Sequence, residues 1–350
     1  MELIPGLPDD VAFECLIRVP FDHLSTAASV STAWKVKIEL PEFRHRRKIT
    51  GLTRPIIVMA QAKESHAMKF MSMPVYQLVV YEAESGNWYK LPPLPRFPNG
   101  LPMFCQLVGV GLDLIIMGGY DPVTWEVSKS VFIYNFISAK WRQGVDVPGG
   151  PRSFFACASD SDLMVFIAGG HDNNKNALRS VIMYDVVKDA WTPLPDMSRE
   201  RDECKGVFHN EKFHVIGGYD TEGQGRFERS AEAFDIATWQ WRDVEENFLG
   251  IATCPRTCVD GGDGRLYMCR EGNVVVLENA TWQVITGLPI EVINATYLTR
   301  WHDRLLVIGS PKFGEPHKGY VMDLKNQRWA RLEAPEEYSG HVQSSYCLDI

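Results

Sequence analysis

The sequence predicts a short all-α unit followed by an all-β six-bladed propeller, and three observations carry that prediction. Glycine pairs recur in "LIIMGGY" (114–120), "VFIAGGH" (165–171) and "FHVIGGY" (213–219), 51 and then 48 residues apart. Each pair is followed by a polar loop, a β-rich run ending in an aromatic, and a tryptophan: Trp141, Trp191, Trp241. The first stretch, "LPDDVAFECLIRVP" at 7–20, has a helical rhythm instead. A period near fifty with four strands per unit is the signature of propeller blades, each burying its faces against its neighbours.

The helical elements come first. Pro8 suits a first helical position, Asp9 and Asp10 favour the positive end of the helix dipole, and Val11, Cys15 and Val19 recur every four residues until Pro20 ends the element. A second helix is expected through "DHLSTAASVSTAWKVKIE", with Val30, Trp34 and Ile38 on one stripe and Pro41 closing it. The basic run "RHRRK" at 44–48 reads as a solvated helix end or linker. Residues 1–48 therefore form the helical unit and its linker, and residues 49–350 the propeller.

With strands a to d running from the centre outward, the glycine pair ends strand b, where close backbone approach and unusual torsions are needed. The aromatics of strands c and d fill the wedge between blades, so Tyr134, Trp141, Tyr184, Trp191, Phe234 and Trp241 read as core. Weaker copies extend the series through Trp88, Trp282 and Trp329. The blades are then about 50–95, 103–147, 152–197, 203–247, 256–289 and 294–334. Later units have a first strand before strand b, such as "FCQLVGV" and "FFACAS", but the unit of Trp88 begins directly with "PIIVMA". A spare strand follows Trp329, so residues 341–348 are expected to supply strand a of blade 1 and close the ring.

Composition narrows the function classes. The 350 residues are 45% hydrophobic, with no apolar run of membrane-spanning length and no secretory signal at "MELIPG", so a soluble intracellular protein is expected, in cytoplasm and/or nucleus. Eight cysteines spread singly along the chain read as free thiols. A net charge of −8 argues against nucleic acid as a partner.

The Leu-Pro-Asp helix, the second helix ending near a tryptophan and the six glycine/tyrosine/tryptophan units together resemble a plant kelch-repeat F-box protein. "RSFFACASDSD" and "RERDECKGVFHNEKFHVIGGY" resemble the KISS ME DEADLY group particularly closely. The departures are Ala60, Cys269-Arg270 and Ser310-Pro311 where glycines are expected. The resemblance implies that the F-box docks on the SKP adaptor, and through it on cullin, in an SCF (SKP-cullin-F-box) ubiquitin ligase whose propeller captures the protein to be degraded. Its implied targets are phenylalanine ammonia-lyase or cytokinin-response regulators. A helical unit this small leaves apolar surface for a partner, with Leu7, Pro8, Cys15, Leu16 and Val19 as the expected contacts.

In a four-stranded meander the b-to-c and d-to-a connections share one propeller face. The long b-to-c loops "DPVTWEVSK", "HDNNKNALR", "YDTEGQGRFER" and "PKFGEPHKG" are polar with apolar insertions. The d-to-a connections add Arg152, Arg199, Arg201 and Arg256. With His171 and Tyr219, which open two of the loops, these arginines are the expected target-binding residues. The helical unit enters at the opposite, a-to-b face. Two rival classes are a kelch scaffold without ligase activity, and a propeller enzyme resembling galactose oxidase. The enzyme reading finds little support, because the nine histidines form no close ligand cluster, "CPRTC" lacks a second thiol pair, and "RERDE" reads as a solvated charge run. No cofactor or metal is expected.

Overall fold

The computed structural model describes residues 2–62 and 74–350. Four helices come first: α1 (Asp9–Ile17), α2 (Phe21–Val30), α3 (Thr32–Glu39) and α4 (Pro41–Ile49). Helix α1 buries Ala12, Leu16 and Ile17, not the stripe read from the sequence: Val11 is 44% exposed and Cys15 faces solvent. Leu16, expected to touch an adaptor, is locked in the helical core with Leu24, Ile38 and Phe43. The single second helix is also corrected. Ser31 takes an extended conformation (φ −157°, ψ 157°), and its Oγ accepts from the Trp34 amide at 3.1 Å, so it caps α3 and breaks the run in two. Val30 thereby turns outward while Ile38 stays buried.

The basic run is the end of α4, with His45, Arg46 and Lys48 exposed as expected, but one of its members is not solvated. Arg47 is 4% exposed and donates to the carbonyls of Ile17 (2.6 Å), Val19 (2.7 Å) and Leu52 (2.8 Å). Burial lowers its pKa from the ordinary arginine value. The price of taking a guanidinium out of water is offset by three carbonyls that would otherwise be orphaned at helix and loop ends.

The rest of the described chain forms six four-stranded antiparallel sheets. In order a to d, blade 2 is Gln106–Val110, Asp113–Met117, Val131–Asn135 and Lys140–Gly144; blade 3 is Ala156–Ser159, Met164–Ala168, Val181–Asp185 and Ala190–Leu194; blade 4 is Lys205–His209, Lys212–Ile216, Ala231–Asp235 and Gln240–Trp241. Blade 5 is Val259–Asp260, Leu266–Arg270, Asn273–Glu278 and Thr281–Gly287, and blade 6 is Asn294–Trp301, Arg304–Ser310, Lys318–Asp323 and Trp329–Leu332. Blade 1 is assembled from both ends of the propeller sequence. Its strands b, c and d are Pro55–Ala62, Tyr76–Glu82 and Trp88–Lys90, and its strand a is the C-terminal Val342–Asp349, paired Ile57 to Cys347 and Val58 to Tyr346. The expected closure is therefore present, and the a strands pack in a continuous ring around the centre.

Between blades, the d-strand tryptophans act as staples. Nε1 of Trp141 donates to Pro92 O (3.0 Å), Trp191 to Val145 O (2.9 Å), Trp241 to Pro195 O (2.7 Å) and Trp282 to Phe248 O (2.8 Å), each reaching the preceding blade. Tyr134, Tyr184 and Phe234 are buried beside them, in the core role expected. In these four blades the recurring tryptophan combines apolar filling with an inter-blade hydrogen bond, whereas Nε1 of Trp329 in blade 6 is buried without a partner.

The helical unit sits on the face of the a-to-b and c-to-d turns. Arg44 donates to Ser161 O (2.6 Å) and pairs with Asp162, in the a-to-b turn of blade 3. Lys48 meets Asp349 at 3.1 Å, Arg54 meets Asp22 at 2.7 Å, and Ile137 of a c-to-d turn packs on the helical core.

Candidate functional site

The opposite face is built by a backbone device repeated in blades 2, 3 and 4. After strand b, the glycine pair turns with both residues at positive φ, 65° and 79° at Gly169 and Gly170. A Cβ on Gly170 would sit 2.3 Å from Ser153 O, and one on Gly169 the same distance from Arg201 O, so side chains are excluded there. The residue after each pair, Tyr120, His171 or Tyr219, then bridges to Met103, Ser153 or Asp202 respectively. The residue following each of those partners also has positive φ: Phe104 (62°), Phe154 (52°) and Glu203 (49°). Bulky residues hold that conformation at a cost, and the surrounding turn enforces it. Strand a begins only at Gln106 and Ala156, so the first residues of "FCQLVGV" and "FFACAS" belong to this rim instead of the strand.

Two of the predicted arginines are latches for that device. Arg152, 7% exposed, donates to Gly169 O (3.2 Å), Ser180 O (2.8 Å) and Ser180 Oγ. Burial lowers its pKa to about 10. Arg201, 1% exposed, donates to Gly217 O (2.8 Å), Ser230 O (3.3 Å) and Ser230 Oγ (2.9 Å), and its Nε reaches Glu232 Oε1 at 3.1 Å. Neither guanidinium is available to a partner, and "RERDE" is not a solvated run, since Asp202 is buried as well. Arg199 is half-buried, bridging Glu228 (3.4 Å) and Glu246 rather than its sequence neighbours. Arg256 is the exposed one of the four.

His171 and Tyr219 are buried too, at 4% and 5% exposure, but they organise the surface. Lys175 Nζ donates to His171 Nε2 at 2.9 Å, which leaves the Nδ1 proton for Asp202 Oδ2 at 2.8 Å. Tyr120 Oη lies 3.3 Å from both Nε2 and the ammonium. Tyr219 donates to Glu203 Oε1 at 3.0 Å; burial first, then Asp202 and Glu203, raise its phenol pKa. Over this network lies a group the sequence reading missed. Phe104 (44% exposed) and Phe154 have ring centroids 5.2 Å apart; Phe154 is 5.6 Å from His171 and 6.3 Å from Tyr120, and Tyr120 is 6.4 Å from the exposed Trp125. The available signal was a phenylalanine at one fixed place, before strand a, in two consecutive units. Both imidazole nitrogens are engaged, so what reaches solvent is a rim of aromatic faces beside one ammonium, suited to recognition by apolar contact.

On the helical unit, Pro8 and Cys15 are exposed and Leu7 and Val19 are partly buried against the core. Val11 joins Pro8 and Cys15 on the outward side of α1. Among the described residues no group of three histidine, cysteine or carboxylate side chains could hold a metal, and no helix is long and apolar enough to cross a membrane.

Comparison with known proteins agrees with this geometry. The F-box domain model matches residues 4–46, and the kelch motif model matches 151–198 and 201–247, the two blades with arginine latches. Two Arabidopsis thaliana sequences, F-box/kelch-repeat proteins At1g15670 and At1g80440, are 46% and 47% identical over the full length of both partners. F-box/kelch-repeat protein SKIP20 of the same plant is 34% identical over 70% of this chain and 66% of its own. The solved structure of YjhT aligns with a TM-score of 0.59 at 12% identity, over 73% of this chain and 90% of that one, a likeness of fold.

Proposed function

The chain belongs to the family of F-box/kelch-repeat proteins, and from that premise we propose that it is the target-recognition subunit of an SCF ubiquitin ligase. In this reading the F-box helices dock on the SKP adaptor, which links to cullin, and the propeller captures the protein to be ubiquitinated, without catalysis of its own. One observation carries it: the helices and the aromatic rim occupy opposite faces of one rigid ring, so adaptor and target do not compete. Leu7, Pro8, Val11 and Cys15 are the adaptor anchors, with Leu16 and Arg47 holding α1 in place from behind. Phe104, Tyr120, Trp125, Phe154 and Lys175 contact the target, with Arg199 and Arg256 at the edge of that surface. Phenylalanine ammonia-lyase and cytokinin-response regulators remain the target classes brought by the resemblance to the KISS ME DEADLY group, and action in cytoplasm and/or nucleus follows from either.

Co-purification of the full chain with recombinant SKP adaptor tests the reading. The wild-type chain should form a 1:1 complex, and Val11→Asp with Cys15→Asp, both on exposed positions, should abolish it without lowering the melting temperature. A correctly folded wild-type chain that fails to bind any SKP adaptor would leave a kelch scaffold as the better description.

A further inference from the structure

The ring of a strands encloses a central channel of about 390 Å³, within the size range of small-molecule sites. It opens on the side of the helical unit, where Arg44, His45 and Lys48 of α4 line its mouth with Arg300 and His302. Farther in, near the start of the a strands, it is lined by Cys157, Lys205, Cys258, Tyr297 and Ser345. Strand a of blade 5 is only two residues long, and across it Lys205 Nζ lies 6.0 Å from the centre of the Tyr297 ring.

The charges in this channel do not balance. At the mouth Asp162 is paired with Arg44 and Asp349 with Lys48 at 3.1 Å, while Asp260 is hydrogen-bonded to His209 at 2.6 Å, so three carboxylates face the four cations Arg44, Lys48, Arg300 and Lys205. Arg300 finds a backbone carbonyl, that of His302. Among the described residues Lys205 has no carboxylate within ion-pair distance. The thiols beside it supply no countercharge, because burial pushes Cys157 and Cys258 up to about 12 and keeps them protonated. The Lys205 ammonium is itself disfavoured, first by burial, and the nearby Arg256 adds to the positive field. A cation–π contact offsets little of this. A second, independent sign points the same way: Ser345 Oγ is buried at 6% residue exposure, lines the channel and has no hydrogen-bond partner. Orphaned buried hydroxyls are uncommon, and this one faces the same space as the uncompensated ammonium.

We propose that the central channel binds a small oxyanion, a phosphate ester or a carboxylate, seated on Lys205 Nζ and Ser345 Oγ and entering past α4. The anion neutralises Lys205 and takes the Ser345 proton as a hydrogen bond. Because α4 lines the mouth, an occupied channel also reinforces the seating of the F-box on the ring, a coupling independent of what the outer face captures.

Isothermal titration of the full chain with pyrophosphate in one arm and citrate in the other tests this, and separates the two sources of oxyanion. At least one probe should bind saturably at 1:1 and raise the melting temperature. Lys205→Met should weaken that binding tenfold or more and Ser345→Ala by roughly threefold. Without probe, Lys205→Met should melt at the wild-type temperature or above it, since an uncompensated charge has been replaced by an apolar chain of similar length. The absence of saturable binding by either probe up to about 10 mM, far weaker than a useful site, would overturn the proposal. So would unchanged affinity in Lys205→Met, or a ligand-free melting temperature several degrees lower, which would make the lysine a structural tie.

Discussion

Blades 2 and 4 share one backbone and put it to different uses. Both turn through a glycine pair, bridge to the d-to-a connection, and hold a residue at positive φ just before strand a. In blade 4 the space beside the turn is filled by Arg201, paired with the buried Glu232, and the rim residue Glu203 is tied to Tyr219. In blade 2 the position of the latch is held by Pro102 and the rim carries Phe104, Tyr120 and Trp125. The rim is therefore asymmetric, apolar at blades 2 and 3 and tied up in hydrogen bonds at blade 4. A repeat residue is structural where its partners close the turn, and is left exposed where the turn closes without it.

The largest effect expected lies outside that pair and sets its frame. Deleting residues 341–350 removes strand a of blade 1, opens the ring and exposes the edge of the strand Pro55–Ala62; the truncated chain should aggregate or lose its cooperative melting transition. Next, Arg201→Ala leaves Glu232 buried without its cation and should cost about 3–5 kcal/mol in chemical denaturation, whereas the corresponding Pro102→Ala in blade 2 should cost far less. Equal losses at both positions would break the distinction between the blades. Phe104→Ala with Trp125→Ala should cost about 2 kcal/mol or more in target affinity, measured by quantitative capture, while the melting temperature stays near wild type because both rings are exposed. The pH profile is gentler. Burial first holds His214 and His317 at about 4, so both stay neutral in the folded chain while the unfolded chain takes up protons near 6.5. Their contribution to stability is complete above about pH 6.5 and is lost as pH falls toward 4, and His317→Asn should flatten part of that slope in a series of melts. Smallest of all, Arg199→Gln should change stability by less than about 0.5 kcal/mol, since its ion pairs lie at the surface and are partly exposed.

Sequence periodicity carried the architecture because propeller blades repeat their core. The glycine pairs, the stapling tryptophans and the spare last strand were all legible, since each answers to a local rule or to the need to close an edge. Four things were not. The break at Ser31 had a local signal, a serine just ahead of a helical run, but the apolar stripe running through it suggested continuity. The burial of Arg152 and Arg201 had none, because their partners lie 16 to 31 residues away and only the folded blade brings them together. The outward face of α1 was misread in part: Val11 and Cys15 do recur at helical spacing, yet Ala12, Leu16 and Ile17 won the core, leaving Leu16 inside and Val11 outside. Phe104 and Phe154 looked like strand residues because alternation says nothing of a left-handed turn one step earlier.

The two surfaces proposed for adaptor and target lie on opposite faces of one ring. Hydrogen exchange of the full chain, alone and saturated with SKP adaptor, tests this assignment most directly. Slowed exchange should be confined to segments 7–19 and 21–40, with the peptides covering 102–106, 119–127 and 151–156 unchanged. Protection of those rim peptides by the adaptor would contradict the account, because the face assigned to the target would then belong to the ligase.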